Sequence, residues 1–456
     1  MAAGHGWPGT ASDSADETAA MIDDGHHRVL PGPFARPTPA RQDQCHARLA
    51  GMALAFFGVG FLVLPWWTLA IVPLLLGLAA LLANERPPLP FPRRQDRWVM
   101  AVLLCYGLSW VIAGPWHGEG LRGLKDAWPV WLAVLTLVAL SRLRVSSAWL
   151  WGGFAAGSLA TGGWAAWQRL VEGTARADGH EPLHAILFGN LGLLVGLICL
   201  AGLGWALGRD RRLGWTLLLA AGGFSGLMVS AFSGSRGGWI GLPLALWVLY
   251  RGYGPRLALR WQLTGVGLLG LLLVGLYVAP QTGVERRIDN AVESMEQYLE
   301  GDQEMTSVSA RLEMWKGAAR LVADRPLAGW GARGYRQEMR ERSLSGLQVP
   351  SLGRYWHAHN DLLDAWAKRG LPGLATLLAL YLVPLWLFVG GLRDGTRERR
   401  ALAMAGVLLP VAFLGFGLTY SFLAYPAGGL VYGLMLVILW GSYRQAPLAE
   451  RAGLTG

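Results

Sequence analysis

Charge is scarce in this chain: of 456 residues only 15% are charged, against 53% hydrophobic, and the mean hydropathy is +0.34. A soluble fold needs a polar surface that this composition does not supply, so a soluble protein is excluded. Cysteine is scarcer still. Cys45, Cys105 and Cys199 lie in or beside apolar runs without C-x-x-C spacing, which argues against a disulfide framework or a zinc cluster. A cleavable signal peptide is missing too, because residues 1–44 are polar and rich in Gly, Pro, His and Asp. They read as a disordered cytoplasmic tail, with Met21 as an alternative initiator. Acidic residues are in the minority, and the net charge is +10. The basic residues nevertheless fall in short loops between apolar runs, not on one soluble face, which speaks against a nucleic-acid partner.

What is abundant is apolar length, together with 23 Trp and 63 Gly, residues suited to membrane boundaries and to close helix packing. Stretches able to cross about 30 Å of hydrocarbon fall near 48–65, 67–84, 98–115, 127–141, 147–170, 183–207, 213–232, 238–250, 261–279, 361–390, 401–420 and 424–443. The expected fold is therefore all-α, a polytopic membrane protein of about twelve transmembrane helices with one large helical periplasmic loop. Nine helices occupy 45–279, the loop spans 280–360, three helices occupy 361–443, and 444–456 is a cytoplasmic tail. Every second loop is basic: Arg86, Arg93, Arg94 and Arg97, then Arg142 and Arg144, Arg209, Arg211 and Arg212, Arg251, Arg256 and Arg260, and finally Arg393, Arg397, Arg399 and Arg400. The positive-inside rule makes those loops and both termini cytoplasmic. The other loops, 280–360 among them, then face the periplasm. Within that loop, Leu312, Trp315, Ala319 and Val322 recur at helical spacing behind a Ser309 cap, and a second amphipathic piece covers 285–299.

Three features converge on that face. Arg236 sits in a glycine-rich break, Ser233-Gly234-Ser235-Arg236-Gly237-Gly238-Trp239. Its bland reading is a snorkelling arginine; against that, its position runs counter to the inside bias and its planar fork suits phosphate. Arg311 stands in Ser309-Ala310-Arg311-Leu312-Glu313-Met314-Trp315, with Arg325, Arg333, Arg336, Arg340, Arg342 and Arg354 making the loop basic and receptive to pyrophosphate. A solvated surface helix would look the same. Finally, Trp356-His357-Ala358-His359-Asn360-Asp361 returns the loop to an apolar helix. Histidine there is placed to accept a proton near neutral pH. Asn360 or Asp361 can cap the helix and leave its positive end toward an anion. The alternative is a boundary histidine bonded to backbone, and His-x-His with only nearby carboxylates does not make a metal site. The 171–184 loop adds Arg176, His180 and His184 on the same side, within reach of a substrate pocket.

At these residues the chain resembles the superfamily of O-antigen ligases, O-antigen polymerases and protein O-oligosaccharyltransferases. His359-Asn360, nine residues, Gly370, two residues and Gly373 match its His-Asn-x9-Gly-x-x-Gly pattern. Ser309 to Gly331 is similar to its Arg-Leu-x-x-Trp and Arg-Pro-Leu-x-Gly-Trp-Gly segment, and the Ser-Gly-Ser-Arg-Gly turn is typical. The resemblance implies an O-antigen ligase of a bacterial inner membrane, moving a glycan from undecaprenyl pyrophosphate to a lipid A-core acceptor with inversion. It implies a periplasmic active site, no metal or other cofactor, and a monomer. It maps the essential histidine to His359 and the essential arginines to Arg236 and Arg311, with His357, Arg176, Arg325, Arg333 and Asn360 as substrate-binding candidates; either His357 or His359 can be the base. Polymerase and protein O-oligosaccharyltransferase are the related alternatives, and a transporter or flippase is the reading from another class.

Overall fold

The computed structural model describes residues 39–83, 92–179, 183–278, 284–300, 306–347, 349 and 353–448. Among them every regular element is helical, fifteen α-helices joined in places by 3-10 turns. Residues 1–38 and 449–456, which carry most of the two expected tails, lie outside the described residues. Among the described residues eight helical segments are long and apolar enough to cross a membrane: Cys45–Val63, Arg94–Trp116, Arg122–Leu140, Ala185–Ala206, Arg212–Ser233, Asp361–Arg393, Arg397–Gly417 and Pro426–Gln445. The other four expected spans differ from these. Near 67–84 a 3-10 turn, Trp66–Ala70, precedes a helix of 12 residues, Ile71–Leu82. Near 238–250 the turn Gly237–Gly241 precedes another of 12, Leu242–Tyr253. At 1.5 Å per residue each is only about 18 Å long. Ser147–Leu170 and Leu259–Val278 are helices of 24 and 20 residues.

The helices used below are α3 (Arg94–Trp116), α4 (Arg122–Leu140), α5 (Ser147–Leu170), α6 (Ala185–Ala206), α7 (Arg212–Ser233), α11 (Ser307–Asp324), α12 (Gly331–Leu344), α13 (Asp361–Val389), α14 (Arg397–Gly417) and α15 (Pro426–Gln445). The core is built on α6, α14 and α15, whose apolar windows are 83%, 94% and 78% buried inside the protein. α6 packs on α7 and α14, α15 on α4, and α3 on both α4 and α13. Without a hydrophobic driving force between helices in lipid, close backbone approach carries much of this packing. The α6–α7 seam has almost no room: a Cβ on Gly226 would lie 2.5 Å from the Gly192 carbonyl oxygen and 2.6 Å from Gly196 Cα.

The segment between Val278 and Asp361 holds three helices among the described residues: Val284–Leu299 and α11 match the two amphipathic pieces expected, and α12 is an addition that the pattern did not indicate. Two details differ. The cap of α11 is Thr306, whose Oγ1 accepts from the Ser309 amide at 3.2 Å, not Ser309 itself. Its buried stripe is Ala310, Met314, Ala318, Leu321 and Val322, packed with Tyr335, Met339, Ala358 and Ala367, whereas Ala319 is exposed. The small residues Ala310 and Ala318 allow close packing, and Trp315 is left half-buried for another use described below.

Replacing Gly226 with Leu pushes side-chain atoms into backbone that cannot yield, an overpacking cost of about 1–3 kcal/mol or more. The thermal unfolding midpoint in detergent should fall, and yield with it. An unchanged midpoint would show that the α6–α7 seam is not close-packed in this way.

Candidate functional site

Three chain segments build the site. In the first, α7 ends at Ser233 with Gly234 in the left-handed region at φ 66°. Ser235 then bonds Asn190 of α6, Oγ to Oδ1 at 2.7 Å. A Cβ on Gly237 would meet Thr419 Oγ1 at 2.1 Å. The glycine-rich turn is thus clamped between α6 and the chain after α14, which fixes Arg236. In the second, Arg176 is held by its Nε donating to the Ser233 carbonyl at 2.8 Å. The third is the start of α13. Asn360 caps it with Oδ1 accepting from the Leu362 and Leu363 amides at 3.0 and 3.1 Å, while its own amide donates to Ser421 Oγ at 3.0 Å. Asp361 then accepts from the Leu423 amide at 2.9 Å, tying this helix end to the α14–α15 turn.

The spacing of the two glycines in the third segment has a physical cause. Gly370 has φ 63° and ψ −162°, a break that divides α13 after nine residues. Its Cβ would fall 2.0 Å from the Leu327 carbonyl oxygen. The Arg325–Gly331 segment lies in that break: Leu371 N donates to Pro326 O and Trp330 N to Ala367 O, both at 2.9 Å. The two motif segments therefore pack directly on one another, and α11 with Arg311 is registered against the histidines.

His359 is the one described non-glycine residue with positive φ, at 50°. Such backbone costs of order 1–3 kcal/mol and persists only where its surroundings dictate it. Here its amide donates to His357 Nδ1 at 3.3 Å, its carbonyl accepts from Trp315 Nε1 at 3.4 Å, and the Asn360 amide is held by Ser421. Because His357 Nδ1 accepts an amide proton, the neutral ring carries its proton on Nε2 and donates to Tyr425 Oη at 3.1 Å. The same logic applies to His184, whose Nδ1 accepts from the Ile186 amide, so that Nε2 donates to Tyr420 Oη at 2.7 Å. Tyr420 donates in turn to Tyr425 at 2.7 Å. Both nitrogens of His357 are thus occupied. The His359 ring, 4.2 Å away between centroids, has a buried Nδ1 with no hydrogen-bond partner.

Burial and like-charge repulsion couple the members of the cluster. Burial disfavours the charged guanidiniums of Arg176, Arg236 and Arg311, and repulsion from Arg236 adds to this for Arg176 and Arg311. Arg176 also repels Arg311, while Asp178 partly offsets the charge at Arg176. Burial, then His357 and Arg311, lower the His359 pKa to about 3; burial, then Lys368 and His184, lower that of His357 to about 3. Of the sequence candidates, His357, His359, Asn360, Arg176, Arg236 and Arg311 come together here.

Two others do not. The Arg325 guanidinium stacks 3.9 Å from the Trp330 ring centroid, a support for the Gly370 contact. Arg333 lines a separate cavity of about 420 Å3 with Arg122, Lys125, Arg336 and Lys368, walled by Trp110, Trp356 and Tyr425. Sequence reasoning gave no role to Tyr420 and Tyr425, because tyrosine near a span end reads as an interfacial anchor. His184 was visible only as a polar residue on the same side. Among the described residues no group of His, Cys, Asp and Glu is arranged to hold a metal ion.

Two outcomes follow from this geometry. Gly370→Ala meets both the positive φ and the Leu327 carbonyl, so it should destabilise the protein by well over the ~1 kcal/mol typical of point changes, read as a lower unfolding midpoint and faster proteolysis of the 306–347 segment; an unaltered midpoint would remove the Gly370 contact from this account. The imidazoles of His357 and His359, followed by NMR and assigned with His→Gln variants, should titrate well below the usual value of about 6.5, and inorganic pyrophosphate should raise the titration point by offsetting the arginines. Since the unfolded chain takes up these protons from about pH 6.5 downward and the folded one does not until about 3, stability falls on acidification through that window. A titration near 6.5 without pyrophosphate would contradict the burial of the pair.

Residues 222–378 match the O-antigen ligase family model, a stretch that contains Arg236, Arg311, the His357–Asn360 turn and both motif glycines. The chain is also similar to an uncharacterized protein of Haemophilus influenzae, 30% identical over 207 residues, which is 45% of this chain and 52% of that protein. It thus spans about half the length of the curated relative it matches. It is through residues 222–378, the stretch that holds the histidine pair and two of the three arginines, that this chain is similar to the O-antigen ligase family.

Proposed function

We propose that the protein is an O-antigen ligase that moves a glycan from undecaprenyl pyrophosphate to the lipid A-core oligosaccharide at the periplasmic face of the inner membrane. The single observation that carries this reading is the gathering of Arg176, Arg236 and Arg311 beside the buried His359 Nδ1 that has no hydrogen-bond partner. Three cations crowded together, with Arg236 and Arg311 half-buried, favour a polyanion, and a neutral imidazole next to them favours deprotonation of a hydroxyl.

In this mechanism His359 takes the proton from an acceptor sugar hydroxyl. The oxygen attacks the anomeric carbon as the bond from that carbon to the pyrophosphate oxygen breaks, leaving undecaprenyl pyrophosphate and an inverted linkage. Arg236 and Arg311, with Arg176, stabilise the charge that grows on the leaving group. His357 is a positioning residue, holding the strained His359 backbone by its Nδ1. Asn360 caps α13 so that its positive end points at the same region. The basic cavity holding Arg333 adjoins Tyr425 and would receive a phosphorylated acceptor. Residues 280–360 act as a periplasmic cap over the site, and both termini face the cytoplasm.

The test is reconstituted protein given lipid-linked glycan and lipid A-core, without nucleotide or ion gradient. The product should be a glycan-bearing lipid A-core ladder. His359→Ala should lose about 10²–10⁴-fold in rate and Arg236→Ala or Arg311→Ala about 10²–10³-fold. His357→Ala should lose less, with circular dichroism unchanged in all four. Ladder loss only with His357→Ala would transfer the role of base to His357. Movement of labelled lipid without covalent product would overturn the enzyme reading in favour of a flippase. Chain extension of lipid-linked glycan with no transfer to lipid A-core would make it a polymerase.

A further inference from the structure

A second cavity lies at the other end of the protein. Helices α4 and α15 begin, at Arg122 and Pro426, against the Arg333 cavity, and their far ends, at Leu140 and Gly441–Gln445, line a second one of about 440 Å3. The 19 residues of α4 put the two about 28 Å apart, the thickness of the hydrocarbon layer. The second cavity is lined by Arg93, Arg144 and Arg444, by Ser141, Ser146 and Gln445, and on its inner wall by apolar side chains of which Leu137 and Leu140 are buried. Among the described residues no carboxylate lines it.

The acid nearest these arginines is already committed. Asp96, fully buried, accepts from Arg444 Nη1 at 2.9 Å, from Trp440 Nε1 at 2.8 Å and from the Arg93 amide at 2.8 Å. The polar end groups of the helices are sorted as well. Arg93 and Ser146 are the N-caps of α3 and α5, so two positive helix ends face the cavity. The negative ends are covered: Gln445 Nε2 donates to the Leu140 carbonyl at 3.2 Å, and Arg399 Nη1 to those of Tyr443 and Ala446 at 3.0 and 3.3 Å. Gln445 Oε1 also takes the Val145 amide at 3.1 Å, which staples the α4–α5 turn over the space. What remains is a concave, cation-lined chamber with an apolar inner wall, placed at the end of membrane-crossing helices.

We propose that this cavity binds a phosphate group, supplied by the head group of an anionic phospholipid in the leaflet opposite to the histidine site. Guanidiniums and helix N-termini supply the donors that a phosphate needs, and the apolar wall suits the glycerol and first acyl carbons. Basic pockets between helices at a cytoplasmic boundary are the form such head-group sites take. The site is separate from the transfer chemistry and stands or falls independently of it.

Delipidated protein in non-ionic detergent, titrated with phosphatidylglycerol, phosphatidylcholine or inorganic phosphate, tests this through the thermal midpoint and through lipids retained in native mass spectrometry. Phosphatidylglycerol should raise the midpoint and remain bound, and phosphatidylcholine should not. Arg93→Gln/Arg144→Gln should weaken the phosphatidylglycerol response about tenfold or more, while Arg209→Gln, outside the cavity, keeps it. Arg144→Gln alone, at an exposed side chain, serves if the double variant folds poorly. A response to inorganic phosphate that equals the lipid's and is lost in the same variants would keep the phosphate site but assign it to a soluble anion. No response to either probe, or an equal response in the variants, overturns the proposal.

Discussion

The arrangement depends on one backbone contact, the seating of the Pro326–Gly331 segment in the break at Gly370. An unbroken helix would satisfy its own amides and carbonyls. Here the amide of Leu371 and the carbonyl of Ala367 are given instead to Pro326 and Trp330. Two reciprocal bonds, with glycines on both sides of the contact, lock the helices outside the bundle to a helix within it. Arg311 stands on α11 at one end of that coupling and His359 precedes α13 at the other. Their spacing is therefore set by backbone, which is stiffer than any pair of long side chains.

Around this joint the site gathers charge of one sign. Arg176, Arg236 and Arg311 weaken one another through proximity and burial, and Lys368 is held by Asp364 in an ion pair of 2.9 Å beside the same turn. The histidines respond by remaining neutral. Backbone amides decide which nitrogen of His184 and of His357 carries the proton, and Tyr420 and Tyr425 link those two rings into one chain of hydrogen bonds. His359 is left out of that chain. It is the imidazole with strained backbone and an unoccupied buried nitrogen, features expected of a group poised to act and not of one built for stability.

Much of this was legible from pattern. Apolar length located the eight segments long and apolar enough to cross a hydrocarbon layer of about 30 Å, though it also marked four more that differ from them, and two of the three loop helices followed from 3.6-residue spacing. The glycine-rich turn and the His-x-His-Asn stretch stood out because Arg and His are rare at such boundaries. Pattern erred where chemistry depends on a distant partner. Arg325 and Arg333 look like their neighbours in sequence, yet one is stacked on Trp330 and the other turned into a different cavity. The stripe on α11 was misphased because Trp315 reads as core, whereas its indole reaches the His359 carbonyl.

The amino-acid sequence by itself determined the membrane class, the helical character, the family pattern and the residue types able to hold an anion and take a proton, since each follows from local composition or short spacing. Only the tertiary structure decided that Arg176, from a loop with no demanding motif, joins Arg236 and Arg311. It alone distinguished the surroundings of His357 and His359, because these depend on which groups reach the ring nitrogens. The amide that donates to His357 Nδ1 is 2 positions away, but the Tyr425 hydroxyl that accepts from its Nε2 is 68 away, a relation that no local spacing encodes.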